Sequence, residues 1–133
     1  MQIKKLNHIG LAVKSIEKTL PFYRDGLQLL LNGMEEVAGM KVRVAKLNAG
    51  NTVIELIEPL PGNENVAKFI EKRGEGIHHL CFEVADIVQA TDELKEKGYT
   101  PVYPEPQVGA GGHRVNFLNL KDTAGVLIEL VNL

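Results

Sequence analysis

The sequence predicts an α+β fold built from two β-α-β-β-β modules, because two stretches of the first half recur in the second half. "NHIGLAVKSIEKTLPFYRDGL", which begins at residue 7, and "HHLCFEVADIVQATDELKEKGY", which begins at residue 78, both run from histidine through alternating apolar residues to an amphipathic segment. "NTVIELIEP" and "AGVLIELVN" both centre on Ile-Glu-Leu. Such patterns are typical of a strand, then a helix, then a later strand.

The two correspondences also keep nearly the same spacing. His8 precedes Glu55 by 47 residues, and His79 precedes Glu129 by 50 residues. Neither correspondence is strong alone, but two matches in register indicate a duplicated module.

The first module is predicted to contain one helix and four strands. Its first strand is "NHIGLAV", and its helix begins at Ser15, a residue type that caps helices, and is kinked by Pro21. The runs "LQLLLNG", "MKVRVAKLNAG" and "NTVIELIEP" supply the other three strands. This module covers about residues 1–60.

A helix over about residues 63–74 is predicted to link the two modules. The second module covers about residues 75–133, and its helix follows a capping box formed by Asp86 and Gln89. Its later strands are predicted at "TPVYPEP", "HRVNFLNL" and "AGVLIELVN". The Pro- and Gly-rich stretch "PEPQVGAGG" predicts an exposed loop over a site.

Composition limits the classes of function. A chain of 133 residues with 44% hydrophobic and 24% charged residues is expected to form one soluble domain over 1–133. A formal charge of −2 disfavours nucleic acid as a partner. The single cysteine, Cys81, excludes an internal disulfide and a cysteine-rich zinc site. Because no secretory signal and no bilayer-spanning apolar run occurs, we expect a cytoplasmic protein with no membrane partner.

Strand alternation separates the adjacent histidines His78 and His79, because neighbouring residues of a strand point to opposite faces. The bulkier apolar residues are expected to pack beneath the helices, so the opposite face carries His8 in one module and His79 in the other. The same alternation turns Glu55 and Glu129 toward the histidine face, although both lie in apolar runs. His79, rather than His78, is therefore the candidate functional residue.

Two histidines and two glutamates on corresponding faces predict a divalent metal site, because a buried carboxylate is costly unless it is paired or bound to a metal. These donors suit Zn, Mn, Co or Ni better than Ca, and four protein ligands in a six-coordinate shell leave two positions open. Taken singly, each residue has a simpler interpretation. A strand histidine is often a hydrogen-bonded structural residue, and a glutamate can protect an edge strand from aggregation. Likewise, Cys81 can be plain packing and Arg114 can face solvent.

These residues resemble the vicinal oxygen chelate superfamily, also called the glyoxalase/bleomycin-resistance fold, over essentially the whole chain. Within it, the motifs "NHIGLAV", "GIHHLCFEV", "EPQVGAGGHRVNFLNLKD" and "GVLIEL" are most similar to the methylmalonyl-CoA epimerases. The resemblance implies two βαβββ modules whose curved mixed sheets surround one metal site. It places the metal ligands at His8, Glu55, His79 and Glu129.

The resemblance also implies a function: an isomerase that interconverts the two C2 epimers of methylmalonyl-CoA. It implies one divalent ion (Co, Mn, Ni or Zn), a small acyl-CoA substrate and a homodimer. Glu129 and Glu55 are the implied catalytic bases, since epimerisation removes a proton from one face of a carbon and returns one to the other. Gly111, Gly112 and Arg114 are the implied substrate-binding residues.

Two alternatives share this fold. Glyoxalase I, the lactoylglutathione lyase, uses the same proton chemistry and ligand types, but "LKDTAGVLIEL" stands here in place of the "DPDG" turn common in that family. A metal-free small-molecule binding protein would generally lack the four ligands that are complete here. The chain also differs from some epimerases at Val42, where they carry a further glutamate base, and at Glu55, where Gln also occurs. One of the two bases is therefore left open.

Overall fold

A computed structural model describes the whole chain, residues 1–133, and contains eight strands and three α-helices. In chain order these are β1 (Ile3–Ala12), α1 (Ile16–Pro21), β2 (Leu30–Val37), β3 (Val42–Asn48), β4 (Val53–Pro59), α2 (Asn65–Arg73), β5 (Gly76–Val84), α3 (Ile87–Glu96), β6 (Gln107–Val108), β7 (Arg114–Phe117) and β8 (Ile128–Asn132). The order β-α-β-β-β therefore occurs twice, with α2 between the copies. The predicted α+β class is confirmed.

The chain divides into two compact units. The N-half unit comprises His8–His78, and the C-half unit comprises Met1–Asn7 together with His79–Leu133. The divisions fall inside β1 and β5. A single domain whose modules end and begin near residues 60 and 75 stays a prediction.

In the N-half unit the strand order is β2-β3-β4-β1. Strands β2, β3 and β4 are antiparallel neighbours, and β1 pairs with β4 in parallel. One face of the sheet packs against α1 through the buried residues Val13, Ile16, Leu20, Ala45, Leu47 and Leu56. The other face buries an apolar cluster with α2 that consists of Ala12, Val42, Val44, Ile57 and Val66.

Helix α1 starts at its predicted cap. Ser15 Oγ accepts a hydrogen bond from Lys18 N at 3.3 Å, which satisfies one of the N–H groups that a helix start leaves unpaired. After Pro21 the α-helix gives way to a π-helical turn at Phe22–Gly26. Proline lacks the N–H that continues α-helical hydrogen bonding, which accounts for the break.

In the C-half unit the strand order is β5-β8-β7-β6. Strands β5 and β8 are parallel, while β8, β7 and β6 are antiparallel neighbours. Helix α3 covers one face over a core of Val84, Ile87, Ala90 and Leu130. Asp86 Oδ1 accepts a hydrogen bond from Gln89 N at 3.1 Å, so Asp86 caps this helix as predicted.

The predicted strand at "TPVYPEP" does not form. Pro101 makes a single bridge to Leu118, and the two-residue strand β6 follows at Gln107–Val108. The segment holds three prolines, and proline has no N–H to donate to a sheet. Asn116 holds the segment instead, because its side chain accepts from Tyr103 N and donates to Tyr103 O, both at 3.1 Å.

Helix α2 lies where the linking helix is predicted. It ends at Gly74, whose φ of +79° lies in the left-handed region that favours glycine. Gly74 N donates to Ile70 O at 2.8 Å and so closes the last turn. None of the helices is both long enough and apolar enough to cross a bilayer.

Candidate metal centre

Each unit holds one buried histidine–glutamate pair. In the N-half unit, His8 Nδ1 lies 3.1 Å from Glu55 Oε2. In the C-half unit, His79 Nε2 lies 3.0 Å from Glu129 Oε1. All four residues are only 5–8% exposed, so the structure brings the predicted ligands together as two buried pairs.

Strand register positions each pair. In the parallel pair β1–β4, Gly10 lies opposite Glu55, and in the parallel pair β5–β8, Cys81 lies opposite Glu129. In both units the residue opposite the glutamate comes two positions after the histidine, and residues two apart on a strand share a face. The equal register in the two units is what a duplicated module predicts.

The neighbours of each glutamate pack beneath a helix. Ile54 and Leu56 contact the core under α1, and Ile128 and Leu130 contact the core under α3. Glu55 therefore faces away from α1 and Glu129 faces away from α3, as alternation predicts.

The adjacent histidines of β5 have different surroundings. His79 lies against Glu129, whereas the ring of His78 meets the ring of Phe69 on α2 edge-on, with 4.9 Å between ring centroids. His78 therefore packs on the linking helix, in agreement with its expected direction.

The chemistry of these side chains fits a divalent metal ion. A carboxylate buried among apolar strand residues is costly unless it is paired, and an imidazole supplies that partner in each unit. Imidazole nitrogen and carboxylate oxygen are also donors that Zn, Mn, Co and Ni accept. His8, His79 and Glu129 are candidate ligating residues on this basis. Glu55 has the same burial and the same kind of partner.

The residue beside the glutamate differs between the units. In the antiparallel pair β3–β4, Lys46 is in register with Glu55, whereas in β7–β8 Phe117 is in register with Glu129. The Phe117 ring also meets the His79 ring edge-on, with 6.4 Å between centroids. Sequence reasoning missed both residues, because alternation shows which residues of one strand share a face but not which residues of two strands stand side by side.

Val42, where some epimerases carry a glutamate, lies in an apolar environment. It is buried beside Val44 and Ile57 in the cluster that α2 covers. Strand β3 holds no acidic residue at all, so it supplies no carboxylate to the face that carries Glu55.

The predicted substrate-binding residues lie where the loop meets β7. Gly111 and Gly112 have φ of +70° and +76°, a left-handed turn that glycine adopts without strain. Arg114 is exposed, and by alternation along β7 it shares the face of Asn116, whereas Phe117 shares the face of Glu129. The structure thus does not bring the Arg114 side chain onto the ligand face of its strand.

Comparisons with known proteins give consistent results. Residues 7–117 match the Glyoxalase/Bleomycin resistance protein/Dioxygenase superfamily. An ethylmalonyl-CoA/methylmalonyl-CoA epimerase of Cereibacter sphaeroides is 40% identical over 130 residues, which cover 96% of this chain and 97% of that protein. A hypothetical protein of Bacillus halodurans has a similar solved structure, with a TM-score of 0.93 and 46% identity over 97% of this chain and 94% of that chain. A variant of Streptomyces coelicolor methylmalonyl-CoA epimerase, in complex with 2-nitronate-propionyl-CoA, has a TM-score of 0.91 and 34% identity over 98% of both chains.

Proposed function

The chain belongs to the glyoxalase/bleomycin resistance protein/dioxygenase superfamily, and we propose that it is an isomerase that interconverts the two C2 epimers of methylmalonyl-CoA. The observation that carries this proposal is the buried histidine–glutamate pair in each unit of a chain whose named relatives are epimerases of this substrate. The same relatives favour an epimerase over glyoxalase I. The buried, ligand-type side chains disfavour a metal-free binding protein.

We further propose that His8, Glu55, His79 and Glu129 together hold one divalent ion, either Co, Mn, Ni or Zn. The donor types, the burial and the duplicated register support this assignment. When bound, the ion would supply a Lewis acid that stabilises negative charge developing on the thioester oxygen. Each histidine lies within 3.1 Å of its glutamate, so the two donors of a pair are already close together.

Glu129 and Glu55 are the proposed proton-transfer residues. The C2 carbon lies between a thioester and a carboxylate. Epimerisation removes the proton from one face of this carbon and delivers a proton to the other face. A carboxylate oxygen of Glu129 would accept the proton as the C–H bond breaks, and a protonated oxygen of Glu55 would donate a proton to the opposite face. The return reaction uses the two residues in the reverse order. Their equivalent places in the two modules support the same kind of role for both residues.

Phe117 is proposed to exclude water from the His79–Glu129 pair. Its ring lies against His79 and beside Glu129, and the Tyr103 ring packs edge-on against it with 6.0 Å between centroids. An apolar wall of this kind keeps water from delivering protons to a reactive intermediate and strengthens nearby electrostatic interactions.

Gly111, Gly112 and Arg114 are proposed to bind the acyl-CoA substrate. All three are exposed, and the guanidinium of Arg114 is a cation of the kind that binds phosphate. A cytoplasmic location and a homodimeric assembly stay predictions.

Solvent exchange tests the proposed function. Metal-loaded protein incubated with methylmalonyl-CoA in deuterated water is expected to replace the C2 proton with deuterium. A matched incubation with the glutathione hemithioacetal of methylglyoxal is expected to form no lactoylglutathione. If protein with a stoichiometric ion exchanges no C2 proton, the proposal is wrong, and if it forms lactoylglutathione, the glyoxalase I alternative replaces it.

A further inference from the structure

Lys46 lies on the same sheet face as Glu55. The two residues are in register across the antiparallel pair β3–β4, where opposite side chains share a face with Cβ atoms about 5 Å apart. The neighbours of Lys46 on its own strand, Ala45 and Leu47, are fully buried in the core under α1. The ammonium group therefore belongs to the face that carries the His8–Glu55 pair.

Glu35 holds the Lys46 side chain in place. Lys46 Nζ lies 3.3 Å from Glu35 Oε1. Glu35 is in register with Val44, which is two residues from Lys46 on β3, so all three side chains lie on the same face of the sheet. An ammonium has three donors, and one ion pair uses one of them. The two side chains are 32% and 38% exposed, so a ligand that enters this face can reach the ammonium.

This cation has no counterpart in the C-half unit. The residue in register with Glu129 is Phe117, which is apolar. On the same face of β3, Val42 and Val44 are buried and apolar, and Asn48 is exposed and uncharged. The duplicated sites therefore match in their histidine and glutamate but differ in the charge beside the glutamate.

We propose that Lys46 is a specificity-determining residue that binds the free carboxylate of a malonyl-type thioester. The proposal rests on the proposed function, whose substrate differs from a simple acyl thioester by that carboxylate. An ammonium and a carboxylate form a charge-assisted hydrogen bond, which is stronger than a neutral one. The ion pair with Glu35 keeps the ammonium on the sheet face, so the anion meets a cation that is already oriented.

The test compares two thioesters that differ in one terminal group. Malonyl-CoA ends in a carboxylate where propionyl-CoA ends in a methyl group. Titration calorimetry on the metal-loaded protein is expected to show that Lys46→Met weakens malonyl-CoA binding by at least about tenfold, the effect of one charge-assisted hydrogen bond. Binding of propionyl-CoA should change by less than about twofold, because it lacks the carboxylate. Lys46→Arg should retain most of the preference for malonyl-CoA.

Arg43→Met is the matched control. Arg43 is on the same strand but on the opposite face, with its guanidinium 3.6 Å from Glu58, so its removal should leave the preference for malonyl-CoA unchanged. If Lys46→Met keeps the wild-type preference, the Lys46 proposal is wrong even where C2 exchange is present. If Lys46→Met weakens both thioesters equally, its role is structural and the proposal is again wrong. A wild-type protein that neither prefers malonyl-CoA nor exchanges the C2 proton would overturn the proposed function as well.

Discussion

At the scale of single residues, the adjacent histidines provide an internal control for metal binding. His79 lies against the buried carboxylate of Glu129, while His78 lies against the ring of Phe69. We expect His79→Ala, like His8→Ala, to lower divalent-metal affinity by more than about 100-fold, since even residues that only support a ligand are worth about 10–100-fold. His78→Ala should retain one ion per chain. Metal analysis of dialysed, untagged protein makes the measurement, and equal metal content in all three variants would refute the ligand set.

Glu129 is expected to do more than hold metal. Glu129→Gln keeps a side-chain oxygen of similar size but removes the carboxylate that accepts a proton. At saturating metal, C2 exchange of methylmalonyl-CoA should fall by at least ~100-fold, the lower range of general-base contributions. Nuclear magnetic resonance of the methine signal in deuterated water measures this rate. Unchanged exchange in the metal-loaded variant would leave Glu129 with a role at the metal alone.

Glu55→Gln is the comparison for that experiment, because Glu55 has the equivalent place in the N-half unit. If both glutamates transfer protons, each variant should lose epimerisation by at least ~100-fold. If Glu55→Gln turns over nearly as fast as wild type, Glu55 is a ligand only and the second base is another residue. Val42 cannot be that second base, because its side chain has no acid–base group and lies in an apolar cluster.

At the scale of helices and strands, the local signals in the sequence predicted most elements. Side-chain alternation placed Glu55 on the face away from α1 and Glu129 on the face away from α3. Ser15 and Asp86 marked the helix starts, because both effects depend on a few neighbouring residues. Strand pairing depends on residues far apart in the chain. The neighbours Lys46 and Phe117 therefore could not be predicted from either strand alone.

The segment "TPVYPEP", where the predicted strand does not form, also depends on residues outside the local sequence. Its apolar and aromatic residues favour a strand, but its three prolines cannot donate to a ladder. Two of the hydrogen bonds that hold it come from Asn116, which follows in β7 and is fully buried. Asn116 and Tyr103 are 13 residues apart in the chain. Their hydrogen bonds therefore depend on the tertiary structure and cannot be predicted from the sequence of the segment itself.

The cap of α3 gives a stability prediction at this scale. Asp86→Ala removes the acceptor for Gln89 N, so it should lower the free energy of unfolding by about 1 kcal/mol, the usual contribution of an N-cap. Urea unfolding should show a lower midpoint with an unchanged slope. Asp92→Ala is the control, because Asp92 is exposed in the same helix, and its midpoint should stay close to that of wild type. Equal midpoints for the two variants would contradict the capping role.

At the scale of the whole molecule, each unit has a strand at the edge of its sheet. β2 stands at one end of the N-half strand order and β6 at one end of the C-half strand order, and an open edge is a site that a second chain can pair with or cover. Together with the family resemblance, this predicts a homodimer with two-fold symmetry. Sedimentation at micromolar concentration is expected to give the mass of two chains, and a monomer there would contradict the prediction.

The central claim is that metal and the duplicated histidine–glutamate pairs together make this chain an epimerase. The direct measurement starts with one C2 epimer of methylmalonyl-CoA and follows the appearance of the other with a stereospecific coupling enzyme. Metal-loaded protein is expected to interconvert the epimers, to lose this activity on chelation, and to recover it when Co, Mn, Ni or Zn is returned. If metal-loaded protein leaves the starting epimer unchanged, or if chelated protein converts it at the full rate, the chain is not a metal-dependent epimerase.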